Sequence, residues 1–285
     1  MTGAAGMLGL DVLRAGERAG HELIGLDLPE IDITDPASVE GVLQRVAPDA
    51  VLNCAALTDV DGQESKRELA QAVNGDGAGN LARAAAAAGV PLVHVSTDYV
   101  FSGEAPHDAA GKPRPYLESD PTGPRSVYGE TKLAGEQQVL AASPRHTVAR
   151  TAWLFGVGGR NFVETMLTLS CERDAVQVVV DQEGCPTWSG HLAPALLGLI
   201  ERGVCGLVHL AGSGHVSWNG FAREIFRQAE VECRVEEASS AEMARPAPRP
   251  AWSALESERG DVLPLPPWQD GVAGYLAARA GMMRA

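Results

Sequence analysis

The chain has 285 residues and a formal net charge of −14, a length that allows one large α/β domain or two modest ones, each with a buried core. Its only lysines are Lys66, Lys112 and Lys132, so it lacks the basic patch that a nucleic-acid or anionic-membrane surface requires. Five scattered cysteines form no close pair, which points to reduced thiols rather than a disulfide framework or a CxxC metal site. With no apolar leader and no run of roughly 18 apolar residues, the expectation is a cytoplasmic protein without a membrane span.

Thr2-Gly3-Ala4-Ala5-Gly6-Met7-Leu8-Gly9 is a glycine-rich turn opening a helix. There the backbone of Gly3, Gly6, Met7 and Leu8 can meet a pyrophosphate at the helix N-terminus. The spacing is GxxGxxG rather than GxGxxG, and ordinary turns also carry it. His21 to Asp27 reads as the next strand, and an acid at its end, Asp27, suits the adenosine ribose and would repel a 2′-phosphate. Asp32-Ile33-Thr34-Asp35 offers either further adenine-side contacts, at Asp32 and Ile33, or a helix cap.

Ala50 to Ala55 is the following strand. Its small end residues Ala55 and Ala56 would let a dinucleotide lie against backbone, although a tightly packed strand end would look the same. Leu81 to Ala88 is an Ala-rich helix stopped by Gly89. It leads into the strand Leu92 to Ser96, whose end, Ser96-Thr97-Asp98-Tyr99-Val100-Phe101, carries a hydroxyl pair where ligands of such sheets sit.

Tyr128 and Lys132 then stand four apart, on one face of a helix. A lysine charge about 5 Å from a phenol, at an effective dielectric near 20, is worth roughly 3 kcal/mol, or about two pKa units. The pair is therefore expected to bring the tyrosine toward a useful acid–base range.

The strand His146 to Arg150 completes a βα alternation that implies a Rossmann-like, doubly wound parallel sheet. Beyond it the rhythm breaks at Gly156 to Gly159, Cys185-Pro186-Thr187 and Arg245 to Pro250. The expected organisation is a dinucleotide-binding domain over 1–155, with a returning segment near 188–211, and a smaller, mainly substrate-binding domain over 156–285. Only Met1 and Thr2 precede the glycine-rich turn. The first strand therefore reads as truncated, with an expected natural start several residues upstream.

Taken together, Ser96 to Phe101 and Tyr128-Gly129-Glu130-Thr131-Lys132-Leu133-Ala134-Gly135-Glu136 closely resemble the signatures of the dTDP-4-dehydrorhamnose reductase family, extended short-chain dehydrogenases. Asn53 to Asp61, Arg150 to Trp153, Asn161 to Val163, Asp181 to Thr187 and His209 to Gly214 resemble family segments in family order, so the likeness covers almost the whole chain. It implies a 4-ketoreductase that passes hydride from NADH or NADPH to C4 of a dTDP-linked 6-deoxy-4-keto hexose. Tyr128 would be the proton donor, Thr97 would bond the ketone oxygen, and Lys132 would hold the nicotinamide ribose.

By the same resemblance Thr97, Asp98, Tyr99, Tyr128 and Trp153 would contact the sugar, and Arg245 and Arg249 are candidates for the nucleotide diphosphate. Cys185 departs mildly from the family, where Ser or Ala is more usual. Some members use Mg²⁺ at a dimer contact, so a homodimer is open, but no acidic cluster here compels a metal. The rival readings are a 4-ketoreductase for another deoxysugar, an epimerase or dehydratase with tightly held nicotinamide, and a silent dinucleotide-binding regulatory subunit. Retention of Thr97, Tyr128 and Lys132 together speaks against the last.

Overall fold

The structure is a computed structural model and describes residues 1–243 and 245–282. At its centre lie the parallel strands β1 (Val51–Asn53), β2 (Leu92–Thr97) and β3 (Thr147–Thr151), followed by the strand Gly206–His209. Thr2 extends the sheet on the far side of β1, bridging in parallel to both Asn53 and Leu26. The resulting order runs Leu26, Thr2, β1, β2, β3, Gly206–His209. Strand order reverses between Thr2 and β1, and in sheets of this class ligands bind over the strand ends at that point.

The expected strand His21 to Asp27 does not form as a full strand. Only Met1 and Thr2 lie beside it, and the pairing reduces to the Leu26 bridge, with Leu26 N–H donating to Met1 O at 2.9 Å and the Met1 amine to Ile24 O at 2.6 Å.

Side chains alternate across the sheet, as strands buried on both faces require. Leu52, Val93, Ala149 and Val208 pack under helices α1 (Met7–Ala19) and Ser189–Glu201. Val51, Leu92 and Val148 pack under α2 (Pro36–Val46) and the helices Ala78–Ala87 and Val127–Ala142. The local signals explain the boundaries. Gly20 ends α1 in the left-handed region, and Asp35 caps α2 through Ala37 N–H with Pro36 at its first position. Asp35 thus takes the capping role that its tetrapeptide allowed.

A separate core forms around Phe155, Val163, Phe221, Ile225, Trp268 and Tyr275, beside the parallel ribbon Ala175–Val179 and Arg234–Ala238. Between it and the sheet opens a cleft.

Candidate active site

The cleft has a volume of about 800 Å³, within the range of cofactor and ligand sites, and runs along the carboxyl ends of the strands. Its wall contains every residue expected to touch a dinucleotide: Gly3, Gly6, Met7, Leu8, Asp27, Asp32, Ile33, Ala55, Ala56, Tyr128 and Lys132. At one end the glycine-rich turn lies against the end of β1. Gly3 has φ +73°, and a Cβ there would fall 2.6 Å from the Ala55 nitrogen, so only glycine fits. A Cβ on Gly9 would lie 2.2 Å from Gly3 O, so the third glycine lets α1 start tightly on the turn. Gly6 caps α1 without a side-chain hydrogen bond, which leaves the first-turn amides open to an anion.

Asp27 is anchored rather than free, since its carboxylate accepts from Ala5 N–H and Leu28 N–H, each at 3.1 Å. Asp32 accepts from the Thr34 amide at 2.9 Å and hydroxyl at 2.7 Å, which holds its carboxyl below the ordinary range.

Deeper in the cleft, β2 delivers Thr97 and Asp98, and the helix Val127–Ala142 delivers Tyr128 and Lys132. Ser126 caps that helix through Gly129 N–H at 3.2 Å. Gly129 allows a close approach to the turn after β2, where a Cβ would stand 2.2 Å from Tyr99 O. The Thr97 hydroxyl donates to Asp98 Oδ1 at 2.9 Å and accepts from the Tyr99 amide at 3.3 Å. The Tyr99 ring meets the Tyr128 ring edge-on at 5.4 Å. Burial pushes the Asp98 carboxyl up to about 6, against hydrogen bonds from Ser253 and Thr97 that pull it down.

The electrostatic expectation for the Tyr/Lys pair is corrected here. Removal from water pushes the Tyr128 phenol up to about 12, the Asp98 charge adds to the rise, and the Thr97 hydrogen bond only moderates it. Lys132 is not among the groups that lower it; its Nζ donates to Val95 O at 2.7 Å and lies 3.2 Å from His94 Nε2. Burial in turn lowers Lys132 to about 8, opposed by Glu136 and Cys54.

At the other end, Trp153 lines the cleft with a left-handed backbone, φ 45°. That conformation is uncommon for a bulky residue and persists only where the surroundings impose it. Trp218 stacks on its ring at 3.5 Å and 5°, and the missing Cβ of Gly184 leaves room for the indole edge. Trp218 and Arg160 also line the cleft, and the sequence reading missed both. No local signal marks Trp218, whose stack joins positions 65 apart; the Gly156 to Gly159 break was the only hint of Arg160. Asn161 ties that loop down, donating to Gly156 O at 2.7 Å and Gly159 O at 3.0 Å, with Met7 of α1 alongside.

Arg245 and Arg249 are not in the cleft wall. Arg249 is paired with Asp61 at 2.8 Å and Arg245 lies 3.8 Å from the same carboxylate, so an internal acid holds the charges expected to meet a diphosphate. Among the described residues no group of three or more His, Cys, Asp or Glu could hold a metal ion, and no helix is long and apolar enough to cross a membrane.

The family profile described as RmlD substrate binding domain matches residues 1–280. A dTDP-4-dehydrorhamnose reductase of Mycobacterium tuberculosis is 46% identical, over 98% of this chain and 92% of its own. Among solved structures, a dTDP-4-dehydrorhamnose reductase from Clostridium acetobutylicum superposes with a TM-score of 0.91 at 38% identity, over 98% of both chains. One from Bacillus anthracis, in complex with NADP, gives 0.91 at 35% identity over 97% of both.

Proposed function

Since the chain belongs to the RmlD family of dTDP-4-dehydrorhamnose reductases, we propose that it reduces the C4 ketone of dTDP-4-dehydro-6-deoxy-L-mannose to dTDP-L-rhamnose, using NADPH or NADH. The observation that carries this reading is the meeting of Thr97, Tyr128 and Lys132 in one cleft with the glycine-rich turn. The turn suits a dinucleotide: Gly3 leaves a cradle that a Cβ would fill, and the uncapped start of α1 offers amides to a pyrophosphate. Arg160, next in sequence to Gly159, which packs against Met7, adds a cation to the cleft wall. When bound, the nicotinamide supplies the hydride.

The residues of the chain do the rest. Thr97 offers its hydroxyl to the ketone oxygen, and Tyr128 holds the proton that oxygen needs as it becomes an alkoxide. A phenol near 12 is fully protonated at neutral pH. It still gives up its proton readily to an alkoxide, which is about as basic as the hydroxide of bulk water, at about 15.7. The high phenol pKa therefore suits the reducing direction. Lys132 positions the nicotinamide ribose, Asp98, Tyr99 and Trp153 contact the sugar, and Arg245 and Arg249 meet the diphosphate once Asp61 releases them. The division of labour follows 1–155 with 188–211 for the dinucleotide and mainly 156–285 for the sugar nucleotide, in a cytoplasmic enzyme compatible with a homodimer.

Steady-state oxidation of NADH and NADPH by dTDP-4-keto-6-deoxy sugars tests the reading. Turnover that depends on the keto sugar supports it, and an enzyme inert with every such sugar would refute it. Because the anchored Asp27 carboxylate faces the adenosine end, NADH is expected to serve at least as well as NADPH. A strong NADPH preference would remove Asp27 from that role.

A further inference from the structure

Three neighbouring strands carry a row of buried polar side chains that the reaction above does not use. In the parallel register Ser96 of β2 stands beside Arg150 of β3, and Arg150 beside His209 of the next strand. Side chains alternate along each strand, and Val95, Ala149 and Val208 face the core under α1 and the helix Ser189–Glu201. Ser96, Arg150 and His209 therefore share the opposite face, that of the helix Val127–Ala142. Each is only 3% exposed.

Each also keeps one buried polar atom that has no hydrogen-bond partner among the described residues: Ser96 Oγ, Arg150 Nη1 and His209 Nε2. The bonds that these side chains do make fix what each orphan lacks. Arg150 Nε and Nη2 donate to Glu136 at 2.9 and 2.7 Å, so Nη1 has N–H groups to give and nothing to receive them. His209 Nδ1 lies 2.9 Å from Glu256 O and 3.1 Å from Tyr116 O. Carbonyl oxygens only accept, so the ring proton sits on Nδ1 and a neutral ring leaves Nε2 a bare lone pair. Burial lowers the ring below its ordinary range and the Arg150 charge adds to the fall, against Glu118. Phe101 covers both groups, with the guanidinium carbon 4.8 Å over its ring centre and the imidazole edge-on at 5.7 Å. Buried polar atoms in native proteins are nearly always paired, with protein or with an ordered water.

We propose that Ser96, Arg150 and His209 form a binding site for one internal water molecule, which accepts from Arg150 Nη1, donates to His209 Nε2 and shares its remaining bond with the Ser96 hydroxyl. The occupant must accept on one side and donate on the other. A halide would set its charge against the Nε2 lone pair, and a metal cation would meet the guanidinium. Water has both functions, and about three partners are what buried waters ordinarily have. The bridge cross-links three adjacent strands at the residue before Thr97, whatever sugar the cleft takes.

The test is a high-resolution crystal structure of the full chain, soaked in sodium bromide and measured at the bromine absorption edge, together with denaturant unfolding of Ser96→Ala, His209→Asn and the double variant. The expected density is a single peak within about 2.7–3.2 Å of both Arg150 Nη1 and His209 Nε2, without a bromide signal. His209→Asn keeps a donor near the place of Nδ1 and removes Nε2. The two substitutions lie two strands apart, about 10 Å, so without a shared molecule their effects should multiply in the unfolding constant. A shared water makes the second loss smaller once the first has occurred, by about fivefold. If a variant misfolds, the density of the unaltered chain still decides. No peak at that point, a direct Arg150–His209 hydrogen bond, a bromide signal there, or fully independent substitutions would overturn the proposal.

Discussion

Tyr128 and Asp98 sit side by side, and burial acts on them in the same direction with different consequences. For Tyr128 a raised pKa keeps the proton in place for delivery. Replacing it with Phe removes the donor while leaving the glycine-rich turn untouched, so kcat should fall by about 10²–10⁴ with NAD(P)H affinity nearly unchanged in a fluorescence titration. Near-normal turnover would take the proton-donor role from this residue. For Asp98, a folded pKa near 6, above its ordinary 3.8, means that the folded state binds the proton more tightly than the unfolded chain. The penalty of burying its charge is complete above about pH 6 and absent below about pH 4, so stability falls as pH rises through that window. Asp98→Asn should flatten this dependence by about 2–3 kcal/mol in denaturant titrations at pH 4 and pH 7; an unchanged slope would mean that the carboxylate is solvated. Residues of this kind were legible because each lies at a strand end or on a helix, one step from a recognisable motif. Trp218 was not, and neither was the pairing of Arg249 and Arg245 with Asp61. The stack on Trp153 and the pairing with Asp61 are set by distant segments, and sequence spacing says nothing about them.

The loop 156–161 is the element whose role was least visible, since a glycine-rich break reads only as a turn. In the fold, Asn161 pins it beside Met7, and Arg160 joins the cleft wall at the open end of α1. Arg160→Glu should weaken NAD(P)H binding about tenfold, equivalent to about 1.4 kcal/mol, and the loss should shrink as salt screens the charge. Equal affinity in the variant, at low and high salt, would place Arg160 away from the phosphates. The helices α1 and Val127–Ala142 were legible in type and position because their signals are local: glycines for the turn, and the Tyr/Lys spacing for the shared face. The strand expected at His21 to Asp27 was not realised, because a strand forms only against a partner and its partner here is Met1 and Thr2.

At the scale of the whole molecule, a buried ion pair ties the catalytic helix to β3. Glu136 on the catalytic helix and Arg150 on β3 are almost fully buried, with side-chain exposures of 3% and 4%. The guanidinium also lies 4.8 Å from the centre of the Phe101 ring. Removing one partner leaves the other charge unpaired, so Arg150→Met should cost about 3–5 kcal/mol, whereas the double variant with Glu136→Leu should recover much of it. Thermal melts of the three variants would decide this, and additive losses would contradict it. The α/β alternation that produces the parallel sheet was legible along most of the chain. The cleft between sheet and second core was not, since it depends on how two cores pack together. The central claim, hydride delivery to C4, is tested most directly by running the reaction with nicotinamide deuterated at its transferable position and locating the label in the product by mass spectrometry and NMR. The account predicts one deuterium at C4 of dTDP-L-rhamnose for each NAD(P)D oxidised; a product without deuterium at C4, or none formed while cofactor stays bound and unchanged, would contradict it.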